Sequence, residues 1–115
     1  SGDLNVGHRE LDIKNWKANQ TKAGFLPEER AYFDTWFNKV GVIDIGRKLS
    51  GEVDGPYTWW SFRGQAFDND AGWRIDYHLA TPSLAEHVKD YSVTRADSYA
   101  ERWSDHAPVS ASFNL

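Results

Sequence analysis

An α+β fold with a mostly antiparallel sheet and flanking helices is what this 115-residue sequence predicts, on three observations. Apolar residues recur at helical spacing in only one good stretch, Tyr32, Phe33, Trp36, Phe37 and Val40. Several other stretches have strand composition or strict alternation, the clearest being Trp73, Ile75, Tyr77 and Leu79. The ten-residue connector Arg63 to Gly72, with two Gly and Asp68-Asn69-Asp70, separates two strand-like runs and suggests an antiparallel pair.

Taken in order, Ser1 to His8 reads as the exit of a strand, and Asp12 to Ala23 as an exposed polar loop. Pro27-Glu28-Glu29 opens the helix, because Pro is tolerated in the first turn and acidic side chains favour the positive end of the helix dipole. Gly41 closes it. Val42 to Ile45 is a short strand and Gly46 to Pro56 a loop. Tyr57 to Phe62, aromatic with one Thr, has strand composition. Trp73 to Thr81 is a strand that puts Arg74, Asp76 and His78 on the side opposite Trp73 and Ile75. Pro82 to His87 is a short helix or turn, Val88 to Ala96 an edge strand, Asp97 to Trp103 a loop and Val109 to Leu115 a final alternating strand.

The length fits one domain, since domains commonly run to ~100–150 residues. Zero cysteines exclude a disulfide framework, a thiolate zinc site and a cysteine nucleophile. No run approaches the roughly 20 apolar residues that span a bilayer, so the expectation is a soluble, cytoplasmic chain without a membrane partner. A formal charge of −4 does not advertise a nucleic-acid binder, but a metal-dependent phosphodiesterase needs carboxylates as well as cations. Six tryptophans mean a dense core or stacking surfaces.

Asp76 sits in an apolar and aromatic run, and a buried carboxylate needs a partner. The best candidate is His106, in Ser104-Asp105-His106-Ala107-Pro108. Contact between them would fix the imidazole tautomer, favour the imidazolium and leave the second nitrogen to donate to a phosphoryl oxygen. Asp105, pointing away from His106 in an extended segment, would be available to a hard divalent cation. Asp3 and Asn5, two apart, would share one side, where a carboxylate orients water and an amide holds it or a phosphate. Plainer readings stand beside these. Asp105-His106 before Pro108 can be a turn, Asp76 can pair with Arg74, and Asp3 and Asn5 are ordinary turn residues. His8, His78 and His87 read as surface or packing histidines.

Gly2-Asp3-Leu4-Asn5-Val6, Gly72-Trp73-Arg74-Ile75-Asp76-Tyr77 and Ser104-Asp105-His106-Ala107-Pro108, in that order, resemble the last three motifs of the exonuclease III type of AP endonuclease. That group is a branch of the endonuclease/exonuclease/phosphatase superfamily. Ala23-Gly24-Phe25 and Pro27-Glu28-Glu29-Arg30 resemble it too, so the resemblance covers essentially the whole chain. It implies one lobe of the four-layer α/β sandwich of the DNase I-like fold, and a DNA-repair nuclease that cleaves at abasic sites and removes nucleotides from 3′ ends. By the same resemblance Asp3 activates or orients water, Asn5 holds phosphate and water, Asp76 orients His106, His106 stabilises phosphate charge, and Asp105 helps bind magnesium or manganese. Trp59 and Trp73 would lie against the sugar of an abasic nucleotide with Ile75 nearby, and Lys17, Asn19 and Arg63 would touch the DNA backbone.

The implied partners are double-stranded DNA with abasic sites or 3′ ends and an N-terminal lobe. The first lobe's metal-binding Glu, phosphate-binding Asn and Tyr motifs are not in this sequence. Residues 1–115 are therefore expected to be a C-terminal lobe, inactive alone, whose exposed sheet face invites a homodimer. Two alternatives remain: a superfamily hydrolase of lipid or inositol phosphates, and a non-catalytic DNA-binding or scaffolding lobe.

Overall fold

The computed structural model describes residues 2–114, so Ser1 and Leu115, the ends of the expected first and last strands, lie outside the described residues. The elements are β1 (Gly2–Asp3), α1 (Trp16–Asn19), α2 (Pro27–Thr35), β2 (Ile43–Asp44), α3 (Ile45–Ser50), β3 (Asp76–Tyr77), β4 (Leu79–Ala80), α4 (Pro82–Ala85), β5 (Val88–Val93) and β6 (Val109–Phe113). β1 pairs with β3, β2 with β4 and β5 with β6, all antiparallel, which is the mixed α+β architecture expected. Single bridges, Ile13 with Trp73, Trp59 with Trp73 and Trp59 with His106, sew the irregular segments to one another. No helix among the described residues is long and apolar enough to cross a membrane.

α2 starts at Pro27 as expected, and Glu29 caps it by accepting from the backbone N–H of Gly24 at 2.7 Å and of Leu26 at 3.1 Å. The helix then widens into a π turn over Trp36–Val40, and Gly41, at φ 86°, ends it in the left-handed region that glycine tolerates. That widening takes Val40 off a constant 3.6-residue stripe, whereas Tyr32 lies before it. Only Phe33 of the expected stripe is buried, while Tyr32 and Val40 are 67% and 68% exposed.

The strands are shorter than the alternation suggests. Tyr57 to Phe62 pairs only through the Trp59 bridges, and the expected strand from Trp73 is interrupted, with ladders only at β3 and β4. Its two sides are also not one wet and one dry: Arg74 is 1% exposed, as enclosed as Ile75 and Tyr77 beside it. The expected polar loop begins, likewise, with a residue that has no exposure at all, Asp12.

These two surprises are one structure. Arg74 Nε donates to Asp12 Oδ1 at 2.7 Å, and its two terminal nitrogens donate to the Asp44 carboxylate at 2.9 and 2.5 Å. Arg47 adds a second guanidinium on Asp12. Burial alone would raise the Asp12 carboxyl, but Arg74 and Arg47 outweigh it and hold the group below the usual carboxylate range. Asp44 also caps α3, accepting from the Arg47 N–H at 3.2 Å. Two apolar clusters pack nearby, one around Tyr57, Trp60, Phe67 and Ala107, the other around Ile45, Ala80 and Ala85.

Removing the cation from this network takes both guanidinium bonds from the buried Asp44 carboxylate and leaves the buried Asp12 to Arg47. Arg74→Met is expected to lower the unfolding free energy by about 3–5 kcal/mol, measured by urea denaturation. A loss within ~0.5 kcal/mol, the range of ordinary surface changes, would contradict this account.

Candidate active site

The elements just described bring the ends of three separated segments together. β1 carries Asp3, the segment running into β3 carries Trp73, Ile75 and Asp76, and the bridge of Trp59 to His106 brings in Asp105 and His106. Asp3 and Asp76 are direct partners in the β1–β3 register. Asn5, at φ 56°, follows β1 in a turn in which its N–H donates to Asp3 Oδ1 at 2.9 Å.

His106 is the centre of this group. Its Nδ1 lies 2.8 Å from Asp76 Oδ2, the contact expected from the sequence. Its Nε2 lies 3.5 Å from Asp3 Oδ2 and 3.9 Å from Asp105 Oδ1. Partial burial disfavours the charged ring, but the hydrogen bond and charge of Asp76, with Asp3 and Asp105 behind it, outweigh that and raise the His106 pKa above its ordinary 6.5. Asp105 moves the other way. Its Oδ2 accepts from the Trp59 indole N–H at 3.0 Å, and that bond, helped by His106, lowers its pKa.

Two expectations change here. Asp105 and His106 do not face opposite sides, because the chain is not a regular strand at this point and both side chains border the same space. Asp76 does not pair with Arg74, whose donors are taken by Asp12 and Asp44.

That space is an open pocket of about 550 Å³. Trp59, Trp73 and Ile75 line it together with Asn5, Asp105 and His106. The two indole rings meet edge to face with centroids 6.0 Å apart, forming an apolar corner. Lys22, Gly24 and Glu29 also line it, none of which the sequence reading assigned to the site. Gly24 has to be glycine: its φ is 95°, and a Cβ there would stand 2.8 Å from Trp73. The Ala23-Gly24-Phe25 motif carried that signal without showing what it packs against. Lys17 and Asn19 lie instead in a neighbouring groove between Lys14 and Lys22, with the Asn19 amide donating to its own helix at Asn15. Lys22 borders both spaces. Arg63 lines neither of them, and its backbone N–H donates to Ser61.

Asp3, Asp76 and His106 can each bring one ligand atom within 4.8 Å of the others, a grouping able to hold a metal ion. Asp105 is outside that group, but its Oδ1 and Asp3 Oδ2 flank the same imidazole nitrogen. Asp76 Oδ2 is already committed to Nδ1. Carboxylate oxygens of Asp3, Asp76 and Asp105 remain beside His106 Nε2, and oxygens suit a hard divalent cation.

The family model described as the endonuclease/exonuclease/phosphatase family matches residues 2–106. The chain belongs to that family. Within it, the chain is 45% identical over 114 residues to an exodeoxyribonuclease of Bacillus subtilis, covering 99% of this chain and 43% of the relative. It is 37% identical to a DNA-(apurinic or apyrimidinic site) endonuclease of Dictyostelium discoideum, covering 99% of this chain and 30% of the relative. Among solved structures, a 3′ phosphatase from Neisseria bound to a product DNA hairpin superposes with a TM-score of 0.88 at 32% identity, over 98% of this chain and 43% of that one. The chain is thus homologous to part of these nucleases and spans less than half the length of the curated relatives it matches.

The sign of the His106 shift gives a pH dependence. Because the folded-state pKa is raised, the ring's ion pairing contributes stability fully below its unfolded value of 6.5 and loses it as pH rises through the folded value. An NMR titration of the His106 ring is expected to give a midpoint above 6.5, and Asp76→Asn to move it down. A midpoint indifferent to Asp76 would contradict the pairing.

Proposed function

We propose that this chain supplies one lobe of a divalent-metal-dependent phosphodiesterase that cleaves DNA at abasic sites and removes nucleotides from 3′ ends. The observation that carries this reading is the setting of His106. Asp76 holds one ring nitrogen at 2.8 Å, while the other faces Asp3 and Asp105 at the wall of a pocket built on two tryptophans.

Each residue has a role that follows from its place. Asp3 accepts a proton from, or orients, a water that attacks phosphorus, and the bond from phosphorus to the leaving sugar oxygen breaks. Asn5 lines the same pocket and holds a phosphate oxygen or the water. His106, kept as an Nδ1–H tautomer by Asp76 and inclined to the imidazolium, donates from Nε2 to a phosphoryl oxygen as negative charge develops there. Asp105 is the carboxylate that would help hold magnesium or manganese, which when bound offsets charge on the phosphate.

Specificity comes from the corner of Trp59 and Trp73 with Ile75. Apolar walls accept a sugar whose base is gone, whereas a paired base would have to leave its stack to enter. In this reading the groove between Lys14 and Lys22, with Lys17 and Asn19, offers cations and an amide to the strand's phosphates, and Arg63 is a further backbone contact. The names of the relatives point the same way, as do the three ordered motifs. Their greater length supports a second lobe as partner, in the arrangement of a C-terminal half completed by an N-terminal one.

A duplex carrying one abasic site is the deciding substrate, given with magnesium to the chain alone and together with the complementary lobe of a relative. Strand cleavage at the lesion is expected in the paired reaction. His106→Ala should slow it by about 10²–10⁴-fold, the usual contribution of a positioned acid or base. Trp73→Ala should cost about tenfold or more, ~1.4 kcal/mol, on the abasic duplex. No cleavage in either reaction would sink the assignment, and equal cleavage with Trp73→Ala would remove the sugar pocket from it.

A further inference from the structure

We propose that Thr58 is a positioning residue: its hydroxyl holds a kink in the backbone at Ile75 that aims the Asp76 carboxylate at His106. The inference rests on the phosphodiesterase reading above and names a residue that touches no substrate.

In a regular strand the N–H and C=O of one residue point to the same edge, because paired residues exchange both bonds with one neighbour. Ile75 breaks that rule. Its carbonyl accepts from the Leu4 N–H at 3.0 Å, on the β1 side, while its N–H donates to Thr58 Oγ1 at 3.1 Å on the other. The next N–H, of Asp76, donates to the same oxygen at 3.2 Å. Two successive amides therefore converge on one acceptor, which no backbone ladder offers to neighbours in sequence. A hydroxyl oxygen does, having two lone pairs. Thr58 has no exposed surface, so water does not share the task.

The same residue reaches the other half of the pair. The Thr58 carbonyl accepts from the N–H of Ala107 at 2.8 Å, directly after His106, and the Thr58 N–H donates to the Trp73 carbonyl at 2.8 Å. Its side chain thus sets Asp76 and its main chain sets His106. The kink also explains why the alternation from Trp73 fails at this point: Arg74 and Ile75 are both buried, and Asp76 re-enters a ladder with a fresh register opposite Asp3. A valine would match the shape of Thr58 and leave both amides without an acceptor. A serine would keep the oxygen and lose only a methyl.

The test uses the full 115-residue chain and the Nδ1–H proton resonance of His106, identified by its displacement in Asp76→Asn. Thr58→Val is expected to abolish or displace that resonance and to speed amide exchange at Ile75 and Asp76, while Thr58→Ser keeps the wild-type pattern. In cleavage of the abasic duplex with the complementary lobe, Thr58→Val should lower kcat by about 10–100-fold. KM should stay within about twofold, as for an interaction felt in the transition state. A folded Thr58→Val chain with the wild-type resonance overturns the proposal, and so does a Thr58→Ser chain that loses it. Should Thr58→Val not fold, Thr58→Ala and Thr58→Ser carry the same comparison. Absence of cleavage by the wild type would count against the nuclease reading alone, since the resonance decides the role of Thr58 independently.

Discussion

A guanidinium with 1% of its surface exposed stands where three segments of this chain cross: the turn at Asp12, the start of α3 at Asp44 and the segment leading into β3. Enclosing a cation costs several kcal/mol, and the attraction of two carboxylates offsets it only where the geometry is good. Here the fork of Arg74 takes Asp44 with two nitrogens and Asp12 with a third. Each side chain is thereby obliged to stay, and so are the segments that bear them. Trp73 and Ile75 flank Arg74 in sequence, so the pocket wall inherits its position from this network. Asp12 also fixes that register through its backbone, its carbonyl accepting from the Arg74 N–H at 2.7 Å.

The site built on this frame has a different electrostatic character from its foundation. Below, charges are buried and matched; above, three carboxylates surround one imidazole that is only partly buried. Such a surplus of negative charge suits a centre meant to take up cations or protons, and it keeps His106 inclined to the charged form. It is a poor surface for phosphate by itself. The lysines lie to the side, between Lys14 and Lys22, where they can steer a polyanion without neutralising the carboxylates. That separation makes a net charge of −4 compatible with the nucleic-acid substrate proposed above.

Much of the site was legible because it lies in short, chemically distinctive strings. Asp76 within an apolar run demanded a partner, and Asp105-His106 offered one. What misled were the regular periods. Alternation from Trp73 assumed a straight strand, yet Ile75 is kinked and Arg74 is enclosed. The stripe of α2 assumed a constant 3.6-residue turn, yet the π turn at Trp36–Val40 carries Val40 out into the open. Asp12 looked like one more polar residue in a polar stretch, and nothing near it in sequence showed that Arg74, 62 residues away, would bury it.

By itself the sequence determined the class of fold, the start and end of the one long helix and the pairing of Asp76 with His106. These rest on local chemistry: proline, acidic residues and glycine at helix ends, and a carboxylate that burial would penalise if it stood alone. Only the tertiary structure decided that Asp105 shares the pocket, that Gly24 and Lys22 border it, and that Arg74 and Thr58 lie beneath it. Those facts depend on contacts between segments far apart in the chain, where a buried polar group takes whichever partner the packing brings within reach.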